Sequence, residues 1–183
     1  MIKAIVLGAA LCGACSADAP QSPACADRVF AQCGVESLHR SERQDLTDLH
    51  KGRVCLVVVW ASYCPPCVKK LASVVALKKA LCKEGIDVVV VSIDRTKDAA
   101  HDKVNSMGGA VKGVAQWWSA DLASIMYRIG VHSIPCAFVV DAGGELIKTI
   151  QPQGESWADP SIVAEIKGCI RNEKQGKKTD PVL

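Results

Sequence analysis

One stretch constrains this chain more than any other: Val54-Cys55-Leu56-Val57-Val58-Val59-Trp60-Ala61-Ser62-Tyr63-Cys64-Pro65-Pro66-Cys67. A continuous valine-rich run reads as a strand buried on both faces. The two prolines suit the first turn of a helix, where backbone N–H groups have no intrahelical partner. A helix that starts near Pro65 puts Cys64 at its positive end and Cys67 one turn inside, close enough for the sulfurs to bond. Such a junction predicts an α/β fold with a cysteine pair between a buried strand and a helix.

The 183 residues, 49% hydrophobic and 22% charged, suffice for one core and not for two. The net charge is +3, and the lysines are spread among helical patterns and a polar tail, so nucleic acid is not an indicated partner. Ten cysteines are many for this length, and no set of them with the four histidines has zinc-finger spacing. An oxidising compartment is therefore expected.

The N-terminus agrees. Met1-Ile2-Lys3 supplies a positive start and Ala4 to Gly13 a short apolar run, too short to span a bilayer. Leu11-Cys12-Gly13-Ala14-Cys15 resembles a bacterial lipobox, with Cys12 where that motif prefers leucine. The resemblance implies a signal peptide over residues 1–14 and a lipid on Cys15. Secretion without a lipid and an uncleaved structural segment are the alternatives. Residues 15–24, small, polar and proline-rich, read as a tether, residues 25–172 as the folded domain and residues 173–183 as a polar tail.

Within the domain, Cys25 and Cys33 fall in an expected short helix, Ala24 to Gly34. On a straight helix they would stand ~12 Å apart, too far for a disulfide, so the helix bends back or each has another partner. Asp45 to Gly52 reads as a helical turn stopped by glycine. From Pro65 to about Lys83, Val68, Leu71, Val74, Val75, Leu77 and Leu81 recur at helical spacing with Lys69, Lys70, Lys78 and Lys79 between them. Gly85 ends that helix. Ile86 to Asp94 is a second buried strand, parallel to the first because a helix intervenes.

Thr96 caps a helix to Met107, and Val111 to Trp117 holds a short strand. Asp121 caps a helix through Arg128, and Cys136 to Asp141 is a strand. The turn Asp141-Ala142-Gly143-Gly144 returns the chain as an antiparallel strand, Glu145 to Ile150. A last helix, Asp159 to about Ile170, packs through Ile162, Val163, Ile166 and Ile170. The order β, α, β, α, β, α, β, β, α gives a central mixed sheet with helices on both faces.

Taken alone, a Cys-x-x-Cys is a redox site, half of a metal site or a structural disulfide. A metal site needs two further ligands, and no second pair has matching spacing. Val68 rules out the Cys-x-x-Cys-His haem signature. Placement at a helix start stabilises a thiolate and makes the outer sulfur the better nucleophile, so the residues favour redox chemistry. No cofactor or metal is expected beyond the redox-active disulfide Cys64-Cys67.

Trp60-Ala61-Ser62-Tyr63-Cys64-Pro65-Pro66-Cys67 resembles the active site of the thioredoxin superfamily. The wider pattern, over roughly residues 45–170, resembles its TlpA/ResA-like branch of membrane-anchored thiol-disulfide oxidoreductases. Gly85 to Asp94 is similar to the strand after the active-site helix, and Thr96 to Trp117 to the inserted helix and strand of that branch. Tyr127 to Pro135 is similar to the segment leading to the cis-proline, and Gly143 to Ile147 to the following hairpin. The resemblance implies a thioredoxin-like fold. It also implies that Cys64 attacks a substrate disulfide, Cys67 resolves the mixed disulfide, and Pro135 presents backbone beside the pair. Trp60, Tyr63, Pro66, Ile134 and Cys136 are then expected next to substrate, with plain packing as the alternative role of Trp60 and of Tyr63.

Three positions depart from the pattern. Val58 stands where many thioredoxins bury an aspartate, and Lys70 where the nearer branch often has a glutamate, so neither familiar carboxylate can take the proton of Cys67. Lys70 either favours a thiolate or is a solvated surface charge, and His132 either titrates near the pair or is a surface loop residue. Cys136 stands where threonine is usual, as a buried small hydrophobe or as a third thiol able to exchange with the pair. Cys55, Cys82 and Cys169 read as structural.

The resemblance implies a monomeric thiol-disulfide oxidoreductase facing the periplasm of a bacterial envelope and held to the membrane by its lipid. It would be a reductant more often than an oxidant, with protein thiols and disulfides as partners. Apocytochrome c and a membrane electron donor are among those partners, and cytochrome c maturation is one setting. The alternatives are a thiol peroxidase of the peroxiredoxin-related class and a non-enzymatic copper carrier on the same fold.

Overall fold

The computed structural model describes residues 29–30, 32–49 and 52–176. The expected signal peptide, the lipidation site Cys15, the tether and Cys25 lie outside the described residues, as does the tail beyond Gly176.

Seven strands among the described residues form one mixed sheet: β1 (Gly34–Ser37), β2 (Arg43–Asp45), β3 (Cys55–Trp60), β4 (Asp87–Ser92), β5 (Ala115–Trp118), β6 (Cys136–Val140) and β7 (Leu146–Ile150). Their spatial order is β2-β1-β5-β4-β3-β6-β7. β3 lies inside the sheet, parallel to β4 and antiparallel to β6. All its side chains are buried, which is why it reads as a continuous apolar run and not as an alternation. Leu56, Val58 and Trp60 enter one core, and Cys55, Val57 and Val59 enter the other.

Five α-helices among the described residues cover the two faces: α1 (Pro65–Leu71), α2 (Val74–Leu81), α3 (Lys97–Ser106), α4 (Leu122–Arg128) and α5 (Pro160–Gly176). The first core is closed by α1, α2, α3 and α5, through Leu71, Leu77, Val104 and Ile166. The second is closed by α4, through Leu122, Ile125 and Met126, together with Phe30 and Leu46. The expected mixed sheet with helices on both faces is present. So are the parallel pair around α1 and α2, and the β6–β7 hairpin.

Four local features differ from expectation. First, the short helix over Ala24 to Gly34 is not continued into the described residues: Val29-Phe30 is a turn and Gly34 opens β1. β1 alternates in burial but is only four residues long, and it is held by pairing with β2 and with the distant β5. Second, the single helix over Pro65 to Lys83 is broken at Ala72-Ser73. Ser73 Oγ donates to the Lys70 carbonyl at 2.6 Å and accepts the Trp157 N–H at 2.8 Å, so its hydroxyl competes with the helical ladder.

Third, Asp121 makes no side-chain cap at α4; Ser119 Oγ accepts the N–H groups of Asp121 and Leu122 at 3.2 Å instead. Fourth, α5 continues to Gly176, into the segment expected to be tail. The cap of α3 is as expected, with Thr96 Oγ1 accepting the Ala99 N–H.

Candidate active site

β3 ends at Trp60, and Ala61-Ser62-Tyr63 leads into α1, whose first two residues are Pro65 and Pro66. Cys64 is the N-cap residue, in extended conformation, and its Sγ accepts the Cys67 N–H at 3.2 Å. Cys64 and Cys67 form a disulfide, with their Cα atoms 5.2 Å apart. Cys64 is 8% exposed and Cys67 only 1%, so Cys64 is the sulfur a partner reaches first. In the reduced state the N–H aimed at Cys64 and the dipole of the helix favour its thiolate.

The cis-proline loop faces the pair. The Ile134-Pro135 peptide bond is cis, and the Ile134 carbonyl oxygen lies 3.9 Å from Cys64 Sγ. Beyond Ile134 opens a groove of about 540 Å³, lined by Tyr63, Met126, Tyr127, Val131 and His132 among others. Tyr63 and Tyr127 are 65% and 73% exposed, the large exposed hydrophobic side chains of the described residues. The ring of His132 meets that of Tyr127 edge-on at 5.1 Å, which makes it an exposed loop residue at the groove. Pro66 is exposed on another side of the pair, with Pro65, Lys69, Lys70 and the 153–155 loop around a smaller hollow.

Tyr63, Ile134 and Pro135 therefore come together with Cys64 and Cys67, and Pro66 flanks them. Trp60 and Cys136 are placed differently. Trp60 is buried in the first core, and its indole N–H has no hydrogen-bond partner among the described residues. Cys136 pairs across from Val59 and, like it, points into the second core, on the sheet face opposite Cys64 and Cys67. Burial pushes its thiol up to about 12, so it sits as a small hydrophobe and not as a third exchanging thiol. Burial likewise raises Cys55 to about 12 and Cys33 to about 11. Cys82 and Cys169 are free, and no bridge joins them.

Val58 packs in the first core with Cys67, and Lys70 turns to the Pro152 carbonyl at 3.2 Å. A carboxylate just beyond the end of β4, Asp94, is nevertheless built into the site. Asp94 accepts the Ser62 N–H at 3.0 Å on both oxygens, the Ser62 hydroxyl at 2.6 Å and the Ser92 hydroxyl at 2.7 Å. The signal was there in part: an aspartate closing a buried valine strand parallel to the one that delivers Cys64. Among the described residues no group of three or more His, Cys, Asp or Glu side chains is disposed to hold a metal ion, and no helix is long and apolar enough to cross a membrane.

Residues 35–166 match the Redoxin family. The thiol:disulfide interchange protein HelX of Rhodobacter capsulatus is 29% identical over 137 residues, covering 74% of this chain and 64% of its own. The thiol-disulfide oxidoreductase ResA of Bacillus subtilis is 25% identical over 109 residues, covering 60% of this chain and 58% of its own. The chain thus spans less than two thirds of the length of either relative. The thioredoxin domain of a thiol-disulfide oxidoreductase from Bacteroides vulgatus superposes with a TM-score of 0.57 at 18% identity, over 74% of this chain and 90% of that one, and establishes a thioredoxin-like fold.

Proposed function

We propose, from the premise that this chain belongs to the Redoxin family and is a TlpA/ResA-like member of the thioredoxin superfamily, that it exchanges thiols and disulfides with other proteins through Cys64 and Cys67. The observation that carries this reading is the helix-start disulfide with its outer sulfur facing the carbonyl of Ile134, a residue that with Tyr63 also lines an apolar groove. In the reducing direction, the Cys64 thiolate attacks a substrate disulfide, forms a mixed disulfide and releases one substrate thiolate. Cys67, deprotonated to solvent or to that leaving thiolate, then attacks Cys64 Sγ. The Cys64–Cys67 bond forms, the second substrate thiol leaves, and two electrons have passed to the substrate. An extended substrate segment would lie along Ile134-Pro135, with Tyr63 and Tyr127 under its side chains.

We further assign the protein to the periplasmic side of a bacterial envelope, anchored through a lipid on Cys15, as a reductant with apocytochrome c among its substrates. The lipobox resemblance supports the envelope address, and the two relatives, by their names, support thiol-disulfide exchange; the reducing direction and apocytochrome c rest on the TlpA/ResA-like resemblance. The test is disulfide exchange with a model protein disulfide. Wild type is expected to reduce it, Cys64→Ser to be inactive, and Cys67→Ser to accumulate a mixed disulfide through Cys64. A Cys64→Ser variant that retains activity would overturn the assignment. A reduction potential near thioredoxin's ~-270 mV supports a reductant, and one near ~-120 mV an oxidant.

A further inference from the structure

We propose that Asp94 is a positioning residue for Cys64: through Ser62 it holds the Ala61-Ser62-Tyr63 turn in the geometry that presents the attacking sulfur, and so sets the poise of the Cys64/Cys67 couple. This inference rests on the thiol-disulfide reading above and adds to it a group outside the Cys-x-x-Cys and cis-proline segments.

The Asp94 side chain follows the end of β4 and is only 4% exposed. A carboxylate taken out of water is costly unless its lone pairs are met by donors. Its donors are Ser62 N–H, Ser62 Oγ–H and Ser92 Oγ–H, all within 3.0 Å, and none is a cation. Two of these donor groups belong to Ser62, two residues before Cys64. The backbone that carries the carboxylate is itself fixed: Asp94 N–H donates to Ser92 Oγ at 3.0 Å and Trp118 Nε1–H donates to the Asp94 carbonyl at 2.8 Å. A rigid chain of bonds therefore runs from the sheet through Asp94 to the turn that carries Cys64.

Position in the sheet strengthens the inference. Asp141, the other buried aspartate of the described residues, follows Val140, which pairs with Cys55 at the start of β3. Asp94 follows Ser92, which pairs with Trp60 at the end of β3, where the cysteine pair sits. Val58 and Lys70 supply no carboxylate there, so Asp94 is the buried negative charge at that end. The other charged groups near the pair are at its rim: Arg95 beside Tyr63, His132 on the groove, and Lys69 and Lys70 engaged with Glu155 and the Pro152 carbonyl. A fixed anion near Cys64 disfavours its thiolate, and the neutral isostere removes the charge while keeping the shape.

The experiment uses the full chain and compares wild type, Asp94→Asn, Ser62→Ala and, as a control at the remote helix break, Ser73→Ala. The readouts are the thiolate absorbance of Cys64 against pH, the exchange equilibrium with glutathione, and the rate of attack on a protein disulfide per thiolate. Asp94→Asn is expected to raise the ionisation constant of Cys64 about threefold or more, half a pKa unit, and to move the glutathione equilibrium toward the reduced chain. Ser62→Ala is expected to slow attack about tenfold through a misplaced sulfur. Ser73→Ala should lower stability and move none of the three readouts.

If Asp94→Asn leaves the ionisation constant unchanged while only stability falls, Asp94 is a structural group and the proposal fails. If Asp94→Asn does not fold, Ser62→Ala decides, and an unchanged attack rate overturns the proposal. A wild-type protein that is inactive on protein disulfides, yet whose Cys64 ionisation still shifts in Asp94→Asn, would sink the functional reading and leave the positioning role standing.

Discussion

At the scale of single residues, the described cysteines divide by environment. Cys64 and Cys67 occupy a helix start beside a groove, whereas Cys33, Cys55 and Cys136 are buried with thiols raised to about 11, 12 and 12. In the native reduced protein at mildly alkaline pH, a thiol-alkylating reagent is expected to modify Cys64 and the exposed Cys82 first, and Cys33, Cys55 and Cys136 only after unfolding. Peptide mapping by mass spectrometry checks this, and a bridge from Cys136 to Cys64 or Cys67 on mild oxidation would contradict it. The pair itself was legible from spacing and placement. Asp94 was legible as the close of a buried strand but its bond to Ser62 was not, because the two residues are 32 positions apart and nothing local to either marks it.

At the scale of elements, two junctions away from the cysteine pair hold the fold together. The break between α1 and α2 is stitched by Ser73 to Lys70 and to the Trp157 segment, and Lys69 pairs with Glu155 across the same gap. Ser73→Ala removes both hydrogen bonds of that hydroxyl and should cost about 1–3 kcal/mol of unfolding free energy, with an unchanged glutathione equilibrium. The β6–β7 turn needs glycine at 144, where φ is +88° and an added Cβ would stand 2.8 Å from Thr47 Cγ2. Gly144→Ala should cost about 1–3 kcal/mol, read as a lower denaturation midpoint with the same slope. Long elements with strong periodicity were readable. The α1/α2 break was not, because apolar residues keep helical spacing across it and the group that stabilises it arrives from Trp157.

At the scale of the whole molecule, the central sheet separates two chemical environments, and pH acts on them differently. Three thiols of the second core have folded pKa values raised above the ordinary thiol range by burial. Raised folded values mean that their contribution to stability is fully present below the unfolded thiol value of 9.0, and is lost as pH rises from there toward 11 and 12. Denaturant unfolding should therefore show a lower stability at pH near 10 than at pH near 7, with a smaller loss in Cys55→Ala and in Cys136→Ala. An equal loss in these variants would assign it to other groups.

The sequence by itself determined the buried strand, the helix start, the spacing of the cysteine pair and the order of elements from β3 onward, because each depends on residues a few positions apart. Only the tertiary structure decided which sheet face each cysteine occupies, that a short N-terminal hairpin extends the sheet beside β5, and that Asp94 reaches Ser62. Those outcomes depend on register between strands distant in the chain, where a shift of one residue would exchange the faces.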